Sequence, residues 1–312
     1  MTTSESALTA LRALRKLAFV ALLAGCRGAD ATDPNDAFAE GVVIPGETTS
    51  LKVVVNTANR DYLLHEPSSA AASKLALPLV ILLHGSGLAA ADMRATTSMD
   101  SIADARRFVV AYPQGVGSPS DWNAGNCCGD PAASGTDDIA FLKAIIGAVS
   151  ARLLIDAKRV YVGGFSDGAR MAYRVACEMS TQIAAVAAVS GSEVTPNCAP
   201  KRVVPLIAFH GTADPSVSYT EATATPLPRA APAAAANLPP VVKLFMATAS
   251  CVSASSVLYQ RTTVRYLGTG CTGDVAFYAI FGGVHAWPIR GADFDFSASP
   301  VIADFFQAHR LP

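Results

Sequence analysis

The apolar positions of this chain follow two alternating periods. "LPLVILLHGSG", from Leu77, is a continuous apolar run closed by His-Gly, the pattern of a strand covered on both faces. Ahead of it, "SLKVVVNTANRDYLLHEP" carries two shorter strand patterns joined by a turn at Asn56 to Asn59,. Helical spacing around Met99 to Arg106 leads into a strand, "RFVVAYP". "TDDIAFLKAIIGAVSARL" puts Ile139, Leu142, Ile145, Ile146 and Val149 on one stripe, with Thr136 or Asp137 available as N-cap,. The alternation continues with a strand "RVYVGGF", a helix "DGARMAYRVACEM", and two strands, "IAAVAAVSG" and "VVPLIAFHG". A helix opened by prolines, "LPPVVKLFMATASC", a strand "DVAFYAIFGG" and a closing helix "SPVIADFFQAHR" complete the chain,. Strands that alternate with helices predict an α/β fold with a mostly parallel central sheet and helices on both faces. One low-complexity stretch, Thr220 to Pro240, reads as a surface loop near the rim of a site,.

The first residues break this pattern. Arg12, Arg15 and Lys16 precede "LAFVALLAG", an apolar run too short to span a bilayer, and the run ends at Cys26,. Residues 1–25 are expected to be a lipoprotein-type export signal, with Cys26 lipidated. An ordinary secretory signal with an incidental cysteine is the alternative. Residues 26–46 read as a flexible tether and 47–312 as one catalytic domain. Contact with a membrane is expected only through a lipid at Cys26, and the folded part is expected to be a monomer.

Composition narrows the partners. The chain has 312 residues, 51% apolar and 16% charged, with a formal net charge of -1 and no long basic run. Nucleic acid is thereby disfavoured, because phosphate binding needs clustered Lys and Arg. Apart from Cys26, the cysteines are Cys127, Cys128, Cys177, Cys198, Cys251 and Cys271, an even set that suits disulfides in an oxidising compartment. Cys251 with Cys271, which flank a strand-like segment, is the first pairing expected. Cys177 with Cys198 is the second. Cys127 and Cys128 are left to bond each other or to exchange partners. Zinc-type C-x-x-C spacing is absent, and no metal or cofactor is expected.

The chemistry centres on "VYVGGFSDGARMAY". Ser166 falls at a strand-to-helix junction with Gly164 and Gly168 around it, the context in which G-x-S-x-G presents a nucleophile. A hydroxyl needs a base. In this layout the partners follow in the order acid, then histidine. Asp214, in "FHGTADP", leaves the penultimate parallel strand, and His285, in "GGVHAWP", follows the last one. Asp274 and Glu193 are weaker choices of acid. His210 and His309 are weaker choices of base, the latter read as a solvated surface residue. The oxyanion donors expected are the amides of Asp167 and Ser86. Trp122, in "DWN", either lines the acyl pocket or caps the core beneath its loop. Asp137 and Asp138 are expected to cap a helix and anchor a loop rather than to hold a metal.

"LHGSG", "YPQG", "DWNAGNCCG", "DDIAFLKAII", "RVYVGGFSDGARMAY", "FHGTADP" and "GGVHAWP", in that order, resemble the secreted esterases grouped as polyhydroxybutyrate depolymerases and feruloyl esterases of types B, C and D. The resemblance runs from about Leu51 to the C-terminus. It implies an α/β-hydrolase fold and a Ser166–Asp214–His285 triad. The implied substrates are hydroxycinnamoyl esters on plant polysaccharide such as xylan, with acetyl xylan or hydroxyalkanoate oligomers as alternatives. The chain departs from the family at Asp167, often Asn, and at Val284 and Ala286, often Gly and Thr. Two rival readings are a peptidase on the same fold and a non-catalytic glycan-binding surface lipoprotein.

Overall fold

The computed structural model describes residues 44–70, 73–192, 198–220, 238–291 and 293–312. The expected signal, Cys26 and most of the tether lie outside the described residues, as do Glu193 and residues 221–237 of the low-complexity loop.

Ten strands form one sheet. In chain order the elements are β1 (Glu47–Val55), β2 (Ala58–Glu66), β3 (Leu77–Leu83), α1 (Ala90–Thr97), α2 (Met99–Arg106), β4 (Val109–Pro113), α3 (Gly129–Ala133) and α4 (Asp138–Arg152). Then come β5 (Ile155–Phe165), α5 (Asp167–Glu178), β6 (Ala185–Val189), β7 (Leu206–Gly211), α6 (Pro240–Thr248), β8 (Ser253–Gln260), β9 (Thr263–Thr269), β10 (Val275–Ile280) and α7 (Ala298–Ala308). The spatial order is β1-β2-β4-β3-β5-β6-β7-β10-β9-β8. From β4 across to β10 every neighbour pair is parallel. An antiparallel hairpin closes each edge, β1-β2 at one side and β9-β8 at the other. This is the α/β-hydrolase fold expected of the sequence.

Pleating explains the continuous apolar runs. Leu79, Ile81 and Leu83 of β3 face one core layer, with Phe141, Leu142 and Ile145 of α4, Met171 and Val175 of α5, and Leu244 of α6. Val80 and Leu82 face the other, with Met93 of α1, Met99 and Ile102 of α2, and Ile302 and Phe306 of α7. Because both faces are covered, no polar alternation is left in β3, and all seven of its residues are buried,.

Local signals account for several boundaries. The β1-β2 turn is Asn56-Thr57, with φ of 46° and 73°, the left-handed pair that tight hairpins require. Asp137 caps α4 by accepting a hydrogen bond from the Ala140 amide at 2.8 Å,. Some features exceed the sequence expectation. The segment between Cys251 and Cys271 is a two-strand hairpin rather than one strand, β5 begins at Ile155 rather than Arg159, and α1 and α3 are additional. Disulfides join Cys127–Cys128, Cys177–Cys198 and Cys251–Cys271. The last closes a 20-residue separation, worth about 3 kcal/mol on the chain-entropy model.

Candidate active site

The C-terminal ends of the parallel strands carry Ser166, Asp214 and His285, each placed for a local reason. Ser166 joins β5 to α5 at φ 55° and ψ -118°, a strained shape that costs about 1–3 kcal/mol. The surroundings hold it there. Its amide donates to Val189 O at 2.9 Å, and its carbonyl accepts from the Ala169 amide at 2.9 Å and the Arg170 amide at 3.1 Å. The flanking glycines are required by close approach. A methyl on Gly164 would stand 2.1 Å from Gly168 O, and one on Gly168 would stand 2.3 Å from Leu83 O and 2.5 Å from His84 O. The start of α5 thus presses directly on the end of β3.

Asp214 and His285 come from the loops after β7 and β10. Those loops are tied together by Thr212 N to Ile280 O at 2.9 Å, Ala213 N to Gly283 O at 3.0 Å, and Gly282 N to Thr212 Oγ1 at 2.9 Å. Beyond His285, the buried Trp287 donates from Nε1 to Ser299 Oγ at 3.0 Å and anchors the loop to α7. The result is a continuous line. His285 Nδ1 is 2.7 Å from Asp214 Oδ2, and His285 Nε2 is 3.0 Å from Ser166 Oγ. Since a carboxylate only accepts, Nδ1 carries the proton and Nε2 is the acceptor for the serine hydroxyl. The Phe165 ring lies 4.9 Å from the imidazole, centroid to centroid.

Asp214 is held ionised. Burial acts to raise its carboxyl, but hydrogen bonds from His210, the Val217 amide, His285 and the Ser216 amide outweigh it, and the group lies well below the ordinary carboxylate range,. His210 is turned away from Ser166's line of contacts, toward Val217 and Asp214. Its Nε2 donates to Val217 O at 2.9 Å and stands 3.4 Å from Asp214 Oδ2, so it buttresses Asp214. His309 and Asp274 pair with each other at 3.0 Å.

The loop after β3 is clamped beside Ser166. The Gly115 amide donates to His84 Nε2 at 2.9 Å, so Nδ1 bears the hydrogen and donates to Gly85 O at 2.8 Å,. Burial lowers the His84 pKa and favours the neutral ring that this pattern needs. Fixing the Gly85 carbonyl toward the ring turns the Ser86 N–H of the same planar peptide away from it. Gly85 itself packs so closely on Ser166 that a methyl there would be 3.1 Å from the serine Cβ.

Trp122 requires a correction as a substrate contact. It is fully buried, its ring lies 4.8 Å from His84, and its Nε1 donates to His84 O at 2.8 Å. It props the loop after β3 from below. Beneath it, Asp138 accepts from the Asn123 amide at 2.7 Å and pairs with buried Arg60 at 2.8 Å, while the Arg60 guanidinium lies 4.0 Å from the Phe141 ring centroid. Truncating Asp138 to alanine strands a buried cation, and the expected loss is about 3–5 kcal/mol. Denaturant unfolding of D138A against wild type measures it, and a loss below about 1 kcal/mol contradicts the assignment.

Residues 60–222 match the family described as Esterase PHB depolymerase. The chain belongs to this family. The esterase NocK of Nocardia uniformis subsp. tsuyamanensis is 33% identical to this esterase-family chain over 175 residues, 55% of this chain and 50% of NocK. It is 32% identical to the bifunctional acetylxylan esterase/xylanase XynS20E of Neocallimastix patriciarum over 164 residues, 53% of this chain and 23% of that protein. With feruloyl esterase B of Piromyces equi the identity is 33% over 118 residues, 36% and 21% of the two chains. The chain therefore spans half or less of the length of these relatives. The solved acetyl xylan esterase from Aspergillus awamori shares the fold, with a TM-score of 0.59 at 13% identity, over 84% of this chain and 99% of that one.

Proposed function

We propose that this esterase-family chain is an exported serine carboxylic-ester hydrolase acting on acyl esters of plant polysaccharide of the xylan type. The observation that carries the reading is the hydrogen-bonded line from Asp214 through His285 to Ser166. His285 Nε2 takes the hydroxyl proton as Ser166 Oγ attacks the ester carbonyl, and Asp214 stabilises the imidazolium that forms. The amides of Ser86 and Asp167 donate to the tetrahedral oxyanion, supported by the clamped Gly85 peptide and by the position of Asp167 at the start of α5. His285 returns the proton to the leaving alkoxide, which departs and leaves an acyl group on Ser166. Water, deprotonated by the same imidazole, then releases the acid.

Acetyl and feruloyl esters are the acyl classes named for the relatives. Phe281, Val284 and Ile289, on the stretch that carries His285, expose apolar side chains, which suits an apolar acyl group or a polyester chain at this rim. Export is supported by the basic and apolar N-terminal pattern and by the three disulfides,. Among the described residues no helix is long and apolar enough to cross a membrane.

A fluorophosphonate probe tests the chemistry. Wild type is expected to label at Ser166, located by peptide mass spectrometry. Ser166→Ala is expected not to label, and His285→Ala to label far more slowly. Labelling at another residue, or none, overturns the reading. Methyl ferulate, p-nitrophenyl acetate and hydroxybutyrate oligomers, assayed side by side, then rank the acyl classes.

A further inference from the structure

The residue after the nucleophile has a side chain that the reaction above does not use. Asp167 is only 8% exposed and Asp121 only 3%. One carboxyl oxygen of each and the Cys128 sulfur lie within 4.8 Å of one another. Two buried carboxylates this close repel, and because both offer only acceptors, neither can hydrogen-bond the other unless one carries a proton.

Both residues are anchored. Asp121 exchanges two backbone hydrogen bonds with Val116 and accepts from the Trp122 amide at 2.9 Å. Asp167 begins α5 and accepts from Arg170 at 2.9 Å. The charged and titratable groups around the pair come from four places: Arg170 on α5 itself, His285 from the loop after β10, His84 from the end of β3, and Asp121 from the loop after β4. Cys128 is held in its disulfide and does not titrate. With one proton, two carboxyls and one guanidinium are neutral together. Without it, a net negative charge sits buried beside the place where the acyl oxyanion forms.

We propose that Asp167 and Asp121 hold one proton between them, and that this bond makes Asp167 a positioning residue, keeping its amide aimed at the oxyanion and weakening catalysis when the proton leaves. The proposal rests on the reading of Ser166 as nucleophile. Burial is the largest influence on Asp167, with the Asp121 charge next; Arg170 opposes them, and the carboxyl is pushed up to about 6,. The sign follows. The folded pair binds its proton more tightly than the unfolded chain, so its stabilising contribution is complete below the ordinary value of 3.8 and is lost as pH rises through about 6,. Above that, the carboxylates repel and the tie opens.

Asp167→Asn and Asp121→Asn each supply an amide N–H that donates to the remaining carboxylate at every pH. With p-nitrophenyl acetate, the ratio of variant to wild-type kcat is expected to climb by about tenfold between about pH 5 and about pH 8, the scale of one unit charge acting across several ångströms at the edge of a site. In Asp121→Asn the KM is expected to hold steady. Thermal midpoints are expected to follow the same course, each Asn variant gaining on wild type as pH rises. Asp121→Ala lacks the tie altogether, so its kcat deficit is expected to be larger at low pH than at high pH. A ratio that stays flat, together with parallel melting profiles, overturns the proposal. Ser166→Ala separates the two failures: residual full activity there removes the nucleophile reading, whereas an inactive Ser166→Ala with flat Asn ratios removes the carboxyl pair alone.

Discussion

Ser166→Ala is expected to lower kcat by about 10⁶-fold while leaving the fold intact, because serine, histidine and acid act as one unit. The substitution removes one oxygen from a position whose backbone is already held by Val189 and by the first turn of α5. Circular dichroism and the unfolding midpoint are therefore expected to match wild type. What remains is binding and oxyanion stabilisation, which by themselves retain about 10³-fold over the uncatalysed reaction. Steady-state hydrolysis of p-nitrophenyl acetate measures the effect. A variant within about tenfold of wild type leaves the proposed nucleophile without support.

Asp214→Asn is expected to cost about 10⁴-fold in kcat with little change in KM. The carboxylate accepts from His285 Nδ1 and from the Ser216 and Val217 amides. An asparagine keeps its oxygen for the two amides and turns its N–H₂ toward the imidazole. Nδ1 then becomes an acceptor, the ring proton moves to Nε2, and Nε2 can no longer take the serine proton. Stability has its own sign here. The carboxyl lies below its ordinary value of 3.8 in the folded chain, so its contribution is present above that value and lost only as pH falls below it. The variant is expected to lose that contribution at neutral pH. Unimpaired kcat in Asp214→Asn contradicts the role given to the acid.

The parallel core was readable because burial on both faces leaves an uninterrupted apolar run, as in β3 and β7. The Ser166 junction was readable because only glycine permits α5 to press against Leu83 O and His84 O. The β8-β9 hairpin was harder to read: β8 is an edge strand, exposed and rich in serine, with no apolar alternation to mark it,. The short α3 has a single buried residue, Pro131, and no amphipathic stripe to read. His210 resembles a base because it ends a strand, and nothing in its local sequence reveals that its ring turns to Val217 and Asp214. Trp122 illustrates the same limit. Its type suggests a ligand platform, while its burial and its bond to His84 O are products of the tertiary fold. The Asp121–Asp167 contact joins positions 46 apart in number (167 − 121) and has no signature in either segment alone.

The split of the interior into two apolar layers has a consequence for how the molecule fails. Ser166 rides on a helix embedded in one layer, while His285 belongs to a loop pinned into the other by Trp287. Their 3.0 Å contact is the place where the two halves must agree. In the proposed mechanism, slippage of either half by a fraction of an ångström interrupts proton transfer, so turnover is expected to fall on heating before the polypeptide melts.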